Sequence, residues 1–165
     1  MNFVIYPLKG TDIDQLNSIG QMLSFLKKDY PHFFNWYSNK VIPGVHTFQR
    51  YVYIASPSNN PKRVAGIMIL KNTPQEKKIC SLFIFEDYRS HGLGTEFLSL
   101  AAEILKTDKP VITVSSNRAS AFSGLFRKMG YKLYNNYPEY YISGIDELSY
   151  NGPLESHSSK YVANA

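Results

Sequence analysis

Apolar and polar positions along the chain alternate between strand-like runs and helical spacings. Phe3 to Leu8 is a short apolar and aromatic run ended by Lys9-Gly10, the profile of a first strand. Thr11 with Asp14 three residues on resembles a capping box, and Ile13, Leu16, Ile19, Met22, Leu23 and Leu26 then recur at helical spacing, predicting a helix that stops near Asp29 ahead of Pro31. The aromatic segment Pro31 to Lys40 predicts a second, short helix closed by Pro43-Gly44. Phe48 to Ala55 and Arg63 to Leu70 read as strands joined by a turn-rich loop, and Lys77 to Glu86 as a longer strand. Leu93, Phe97, Leu100, Ala101 and Ile104 mark an amphipathic helix ending near Pro110. Val111 to Ser115 is a compact β-branched run, Ser120 to Met129 a short helix stopped by Gly130, and Tyr131 to Tyr134 and Tyr140 to Ile145 two aromatic strands.

The predicted order is therefore β-α-α-β-β-β-α-β-α-β-β. One crossover, from the Lys77 strand through the Leu93 helix to the Val111 strand, demands a parallel pair, and the other neighbours are joined as antiparallel hairpins. The fold class is mixed α/β: a mostly antiparallel central sheet flanked by helices, in one domain over residues 1–145. Residues 146–165, polar and punctuated by Gly, Pro and Ser, are expected to form a tail.

Composition narrows the function classes. At 165 residues with 44% hydrophobic side chains, the chain can bury one real core, which excludes a repeat array and global disorder. A formal charge of +5 favours anionic partners, yet the basic residues come in scattered pairs rather than a run, so no basic nucleic-acid-binding tail is present. A single cysteine, Cys80, excludes a disulfide framework and points to a reducing compartment. The four His show no ligand spacing, so no metal is expected. With no signal-peptide pattern and no apolar run of membrane-span length, a soluble cytoplasmic protein without membrane association is predicted.

The chemically informative place is Arg89-Ser90-His91-Gly92-Leu93-Gly94-Thr95, between a predicted strand and a predicted helix. Free backbone N–H groups and the positive end of a helix dipole converge there, Gly92 and Gly94 allow close approach, and Arg89 can add charge, so the segment reads as an anion cradle. Two other phosphate loops fail: Thr95-Glu96 stands where a P-loop needs Lys-Ser or Lys-Thr, and a dinucleotide fingerprint would need a third glycine and an acidic residue after the next strand.

The strand and loop LFIFEDYRSHGLGTEFL, with R-x-x-G-x-G at Arg89, Gly92 and Gly94, resemble the acetyl-CoA-binding motif of the GNAT superfamily of N-acetyltransferases. Leu125-Phe126-Arg127-Lys128-Met129-Gly130-Tyr131 is similar to that family's L-Y-x-K-x-G-F segment, and the element order matches a GNAT-type sheet from about residue 3 to residue 145. The resemblance implies acetyl-CoA as cosubstrate, lying where the Lys77 and Val111 strands splay apart. Its pyrophosphate would rest on the N–H groups of Ser90, His91, Gly92, Leu93, Gly94 and Thr95, and its pantetheine arm against the backbone of Leu82, Phe83 and Ile84. Asn117 and the helix face holding Ser123 and Phe126 would flank the thiol.

Attack of an amine on a thioester requires a group that takes a proton, a donor to the oxyanion and a proton for the departing thiolate. The family's motif tyrosine, which supplies that last proton in many members, is replaced here by Phe126, so the general acid is unassigned. Glu76, at the start of the Lys77 strand, is the candidate base, and Cys80 a weaker candidate as an acyl-carrying nucleophile. Phe33, Phe34, Trp36, Tyr37, Tyr137, Tyr140 and Tyr141 are candidates for an acceptor surface, with Glu139 to hold a cation. Three functions compete: acetyl transfer to a primary amine of a small molecule or peptide, toxin-like acetylation of aminoacyl-tRNA, and a non-catalytic acyl-CoA sensor. Nucleic acid enters only as a tRNA substrate, and the aromatic terminal strands allow a homodimer.

Overall fold

The structure, a computed structural model, describes residues 1–154. Seven strands, β1 (Phe3–Pro7), β2 (Arg50–Pro57), β3 (Gly66–Asn72), β4 (Lys77–Ile84), β5 (Val111–Ser115), β6 (Leu133–Ile142) and β7 (Ile145–Tyr150), form one sheet in the order β1-β2-β3-β4-β5-β7-β6. Every neighbouring pair is antiparallel except β4 with β5. That exception is the crossover through α4 (Leu93–Leu105), as the sequence requires.

The central strands are buried on both faces, which explains their near-continuous apolar runs. Strand alternation in β3 sends Met68 and Leu70 to one face, against Phe97, Leu98 and Ala101 of α4. Ile67 and Ile69 point to the other face, against Leu16 and Ile19 of α1 (Ile13–Met22) and Trp36 of α2 (Phe33–Trp36). From α2 the chain continues helically through a π turn at Tyr37–Val41 into α3 (Ile42–His46). A further helix, α5 (Ala119–Lys128), follows β5.

Two local expectations shift. The capping box at Thr11 and Asp14 does not form: Asp12 precedes α1, and its carboxylate accepts from the Lys9 N–H behind it at 2.8 Å. The first helix ends at Met22, and Ser24–Lys28 winds as a 3-10 turn. The turn closes with the Asp29 N–H donating to the Leu26 carbonyl at 3.0 Å.

The largest correction concerns the end of the domain. The sequence places a strand at Tyr140–Ile145 and a tail from residue 146; the structure runs β6 unbroken in sequence to Ile142 and continues as β7 from Ile145, so residues 146–150 lie inside the sheet between β5 and β6. Glu147 and Ser149 are buried there despite their polarity, 2% and 0% exposed, because Tyr30 donates to Glu147 and the Ser149 hydroxyl donates to the Gly152 carbonyl just past its own strand. A hydropathy reading sees only their polarity. Residues 151–154 follow β7, where the Leu154 N–H donates to the Tyr137 hydroxyl at 3.1 Å, and residues 155–165 of the expected tail lie outside the described residues. Among the described residues no helix is long and apolar enough to cross a membrane.

Candidate active site

The site begins as a defect in the sheet. β4 and β5 pair at only two positions, Lys78 with Val111 and Ile79 with Ile112. Immediately beyond, Ile79 pairs with Leu70 and Ser81 with Ile69, which leaves Cys80 as an extra residue in β4. A bulge of this kind bends its strand and strengthens the local twist. From there β4 follows β3, while Thr113, Val114 and Ser115 follow β7. The facing edges of Leu82–Ile84 and Thr113–Ser115 thus diverge around a cavity of about 360 Å³.

Beyond that opening the chain passes through a 3-10 turn at Glu86–Tyr88 into two left-handed residues, Ser90 (φ 62°) and Gly92 (φ 86°), before α4 begins. Gly92 satisfies a backbone requirement, since nothing lies within 4 Å of where its Cβ would be. Gly94 has a different reason: a Cβ there would stand 2.9 Å from Leu125 and 3.5 Å from Ile84, both residues of the cavity wall. The first turn of α4 is thereby seated at the cavity's end; its Thr95 and Glu96 N–H groups donate to the Gly92 carbonyl at 2.9 and 3.2 Å, and those of Leu93 and Gly94 have no intrahelical acceptor. Arg89 also lines the cavity; its Nε donates to the Ile84 carbonyl at 3.0 Å and its guanidinium lies 5.9 Å from the Phe83 ring.

On the other side of the cavity, two buried carboxylates meet hydroxyl and cationic side chains. Asp29 accepts from Asn117 Nδ2 at 2.9 Å, from Ser115 Oγ at 3.4 Å and from Arg118 Nε. Burial raises the Asp29 pKa, but the hydrogen bonds and positive charge of Arg118, with Asn117 and Ser115, outweigh it and hold the carboxyl below its ordinary value. Glu147 accepts from the Tyr30 hydroxyl at both oxygens, 3.1 and 3.2 Å. Burial pushes its carboxyl up to about 7, only partly offset by hydrogen bonding from Thr113, the Lys78 charge and Tyr30. Burial, then the charge of Glu147, holds the Tyr30 phenol well above its ordinary value. The Tyr141 ring packs on Tyr30 with centroids 5.2 Å apart. A carboxyl that titrates near neutral beside a cavity can take up and give back a proton.

Of the residues singled out in the sequence, the structure brings Leu82, Phe83, Ile84, Arg89 and Asn117 to the cavity wall. It assembles Ser90, His91, Gly92, Gly94 and Thr95 into the loop and first turn next to it, while the Leu93 side chain is core, 1% exposed. Phe126 is also core, packed on Phe122, Tyr131 and Tyr150, and does not line the cavity; α5 contributes Ser120, Ala121, Phe122 and Leu125 instead, and Ser123 is exposed with its hydroxyl on Ser120 O at 3.0 Å. Glu76 stays at the far end of β4, outside the cavity wall, with Oε2 on Lys71 Nζ at 2.7 Å. Glu139 turns back on its own hairpin, accepting from the Gly144 N–H at 2.7 Å, so it holds a turn rather than a cation. Phe33 and Trp36 do line the cavity. Tyr37 is core, with its hydroxyl on the Leu16 carbonyl at 2.6 Å. Asp29, Tyr30, Arg118 and Glu147 escaped the sequence reading; a polar residue beside the helix-ending Pro31 was the available signal for the first two.

Comparison with known proteins agrees with this architecture. An N-alpha-acetyltransferase of Sulfurisphaera tokodaii is 24% identical over 157 residues, covering 87% of this chain and 89% of that one. Among solved structures, a chain of the NatC complex bound to Gag peptide and CoA superposes with a TM-score of 0.70 at 20% identity, over 91% of this chain and 97% of its own. Spermidine N-acetyltransferase from Vibrio cholerae, in complex with CoA and spermine, gives a TM-score of 0.61 at 14% identity, over 90% and 93%. The sequence model of the acetyltransferase (GNAT) domain matches residues 27–151, from the 3-10 turn before Asp29 through the whole of β7, and the chain therefore belongs to the GNAT superfamily of N-acetyltransferases.

Proposed function

We propose that this chain moves an acetyl group from acetyl-CoA to a primary amine of a small molecule or peptide by direct attack. The observation that carries the reading is the bulged divergence of β4 from β5, with α4 starting at its end. The residues fit the cosubstrate. An extended pantetheine arm would take the place of a missing strand beside Leu82–Ile84. The Leu93 and Gly94 N–H groups at the start of α4 would receive the pyrophosphate. Asn117 and Leu125 would flank the reactive end. Acetyl-CoA supplies the activated acyl carbon; the chain supplies binding, exclusion of water and a place for the amine proton.

Phe126 cannot protonate the departing thiolate, and its burial in the core removes it from the site altogether. A thiolate leaves without such help at a cost in rate, about 10²–10⁴-fold for a lost general acid. The carboxylates close to the cavity support an enzyme over a sensor, because Glu147 is hydrogen-bonded to the hydroxyl of a cavity-lining tyrosine and so offers the amine proton a destination. They also suit a cationic acceptor. The relatives that act on a peptide and on a polyamine are both amine users, and the acceptor of this chain is sought in the same two groups.

The test is transfer of labelled acetyl from acetyl-CoA to peptides with free N-termini, to polyamines and to aminoacylated tRNA, kept as separate pools. Label in the peptide or polyamine pool is expected; label confined to tRNA, or none at all, overturns the reading. Binding gives a second arm. Gly94→Trp puts a large side chain where a Cβ alone would stand 2.9 Å from Leu125 and 3.5 Å from Ile84 of the cavity wall, so acetyl-CoA affinity is expected to fall by at least on the order of tenfold. Unchanged affinity would show that the α4 start does not hold the cosubstrate.

A further inference from the structure

We propose that Tyr30 and Glu147 form a two-step proton relay that takes a proton from the acceptor amine, with Tyr30 as the group that touches substrate and Glu147 as the proton's destination. The inference rests on the N-acetyltransferase reading above and supplies the base that Glu76 does not.

Position is the first argument. Tyr30 lines the cavity, whereas Glu147 stands behind it, 2% exposed and outside the wall. An amine seated in the cavity therefore meets the tyrosine oxygen before it meets the carboxylate. The tyrosine hydroxyl is shared between the two carboxylate oxygens at 3.1 and 3.2 Å, so its proton is already directed at Glu147; Ser115 also hydrogen-bonds to this oxygen, and one lone pair is left for a donor from the cavity side. Rigidity is the second. Tyr141 packs edge-on against the Tyr30 ring, and Asp29, the preceding residue, is bonded to Ser115, Asn117 and Arg118. The hydroxyl is thus fixed relative to β5 and β7 rather than carried on a loose loop.

Charge is the third. Glu147 faces Lys78 from β4, Asp29 and Tyr30 from the helical layer, and Tyr140 and Tyr141 from β6. Lys78 favours its ionised form, while burial and Asp29 oppose it. A carboxylate poised between these influences accepts a proton readily near neutral pH. The Tyr30 phenol is a poor acid on its own, so the relay is concerted and tyrosine never carries a charge.

The protons balance. One N–H proton of the ammonium moves to Tyr30 Oη as the Tyr30 proton moves to a Glu147 carboxylate oxygen, which leaves neutral amine, intact tyrosine and a carboxylic acid. The nitrogen lone pair forms the C–N bond, the C–S bond breaks with its electron pair on sulfur, and a second N–H proton passes to the thiolate. Glu147 returns its proton to solvent when the cavity empties.

The experiment measures turnover of wild type, Tyr30→Phe and Glu147→Gln across pH 5.5–9, with an N-terminally free hexapeptide and with spermidine as separate acceptors, alongside acetyl-CoA affinity of each protein. The expected result is a wild-type rate that rises through pH ~7, a loss of about 10²-fold or more in kcat for either variant, and acetyl-CoA affinity unchanged. A structural role alone would lower stability without removing the pH limb. A Tyr30→Phe enzyme with wild-type kcat and the same pH limb overturns the relay while leaving the acetyltransferase reading standing; a wild type that acetylates neither acceptor overturns both. Should the variants fail to fold, the wild type suffices: two protons in flight predict a curved dependence of rate on solvent deuterium content, and a linear one overturns the relay.

Discussion

Arg118 and Asp29 join the two halves of the site: the guanidinium at the start of α5 donates through Nε to Oδ2 of a carboxylate that ends the Ser24–Lys28 turn. Asn117, one residue earlier, donates to the other carboxylate oxygen at 2.9 Å. The helical layer that carries Tyr30 is thereby fastened to the β5–α5 connection that carries Asn117. Asp29 is buried while Arg118 is partly exposed, so the pair keeps water on one side only. Its value lies less in Coulomb attraction than in leaving neither oxygen of a buried carboxylate without a donor.

Replacing Asp29 strands those donors. Asp29→Ala is expected to cost about 1–3 kcal/mol of stability at pH 7, the range for lost hydrogen bonds to a charged group, measured by urea denaturation. The folded carboxyl titrates below its ordinary value of 3.8, so its contribution is present above that value and lost as pH falls through the lower, folded one. Wild type and Asp29→Ala are therefore expected to converge in stability below about pH 4. A gap that persists in acid would mean that the carboxylate charge is not what the site uses.

Glu147 works in the opposite direction. Its carboxyl is raised from 4.5 to about 7, so between those values the folded chain holds a proton the unfolded chain has lost, and stability falls as pH rises until it levels above about 7. Glu147→Gln has no such proton. The stability of Glu147→Gln relative to wild type is expected to grow by ~3 kcal/mol between pH 4.5 and pH 8. Thermal melts would register that as a relative gain on the order of 10 °C for a domain of this size. A difference that stays flat with pH would show that Glu147 is ionised throughout, and would remove it as a proton acceptor near neutrality.

The sheet and its crossover were legible because they rest on apolar runs that burial enforces: Val111 to Ser115 and Lys77 to Ile84 are strands, and the glycines at 92 and 94 mark the start of α4. The acidic part of the site was not legible, for a physical reason. Glu147 and Ser149 are polar residues on the buried face of β7; the burial of Glu147 is tolerable only because Tyr30, Thr113 and Lys78 arrive from elsewhere in the chain, while the Ser149 hydroxyl donates to the Gly152 carbonyl. Such compensation is tertiary, and sequence periodicity carries no trace of it. Glu76 shows the reverse error. It has the right residue type near the right strand, yet four residues of extended chain separate it from the bulge at Cys80, and Lys71 neutralises it where it stands.

Cys80 tests whether transfer is direct. It sits at the bulge, lines the cavity and is 8% exposed, with its sulfur accepting from Arg50 Nη1 at 3.3 Å. A thiol so placed could exchange with an acyl thioester only after losing its proton to a base, and among the described residues no histidine lines this cavity. Arg50 is itself held beneath the site, 5.7 Å from the Trp36 ring, which makes its contact with Cys80 part of the packing under the wall. Cys80→Ala is accordingly expected to keep acetyl transfer within a few-fold of wild type. Intact-protein mass spectrometry of wild type mixed with acetyl-CoA alone is expected to show no acetylated enzyme. Bound acetyl-CoA, filling the cavity, is expected to slow alkylation of Cys80 by iodoacetamide. An acetyl thioester trapped on the wild type, together with loss of transfer in Cys80→Ala, would replace direct attack by a two-step route and would move the proton acceptor's task from the amine to the thiol.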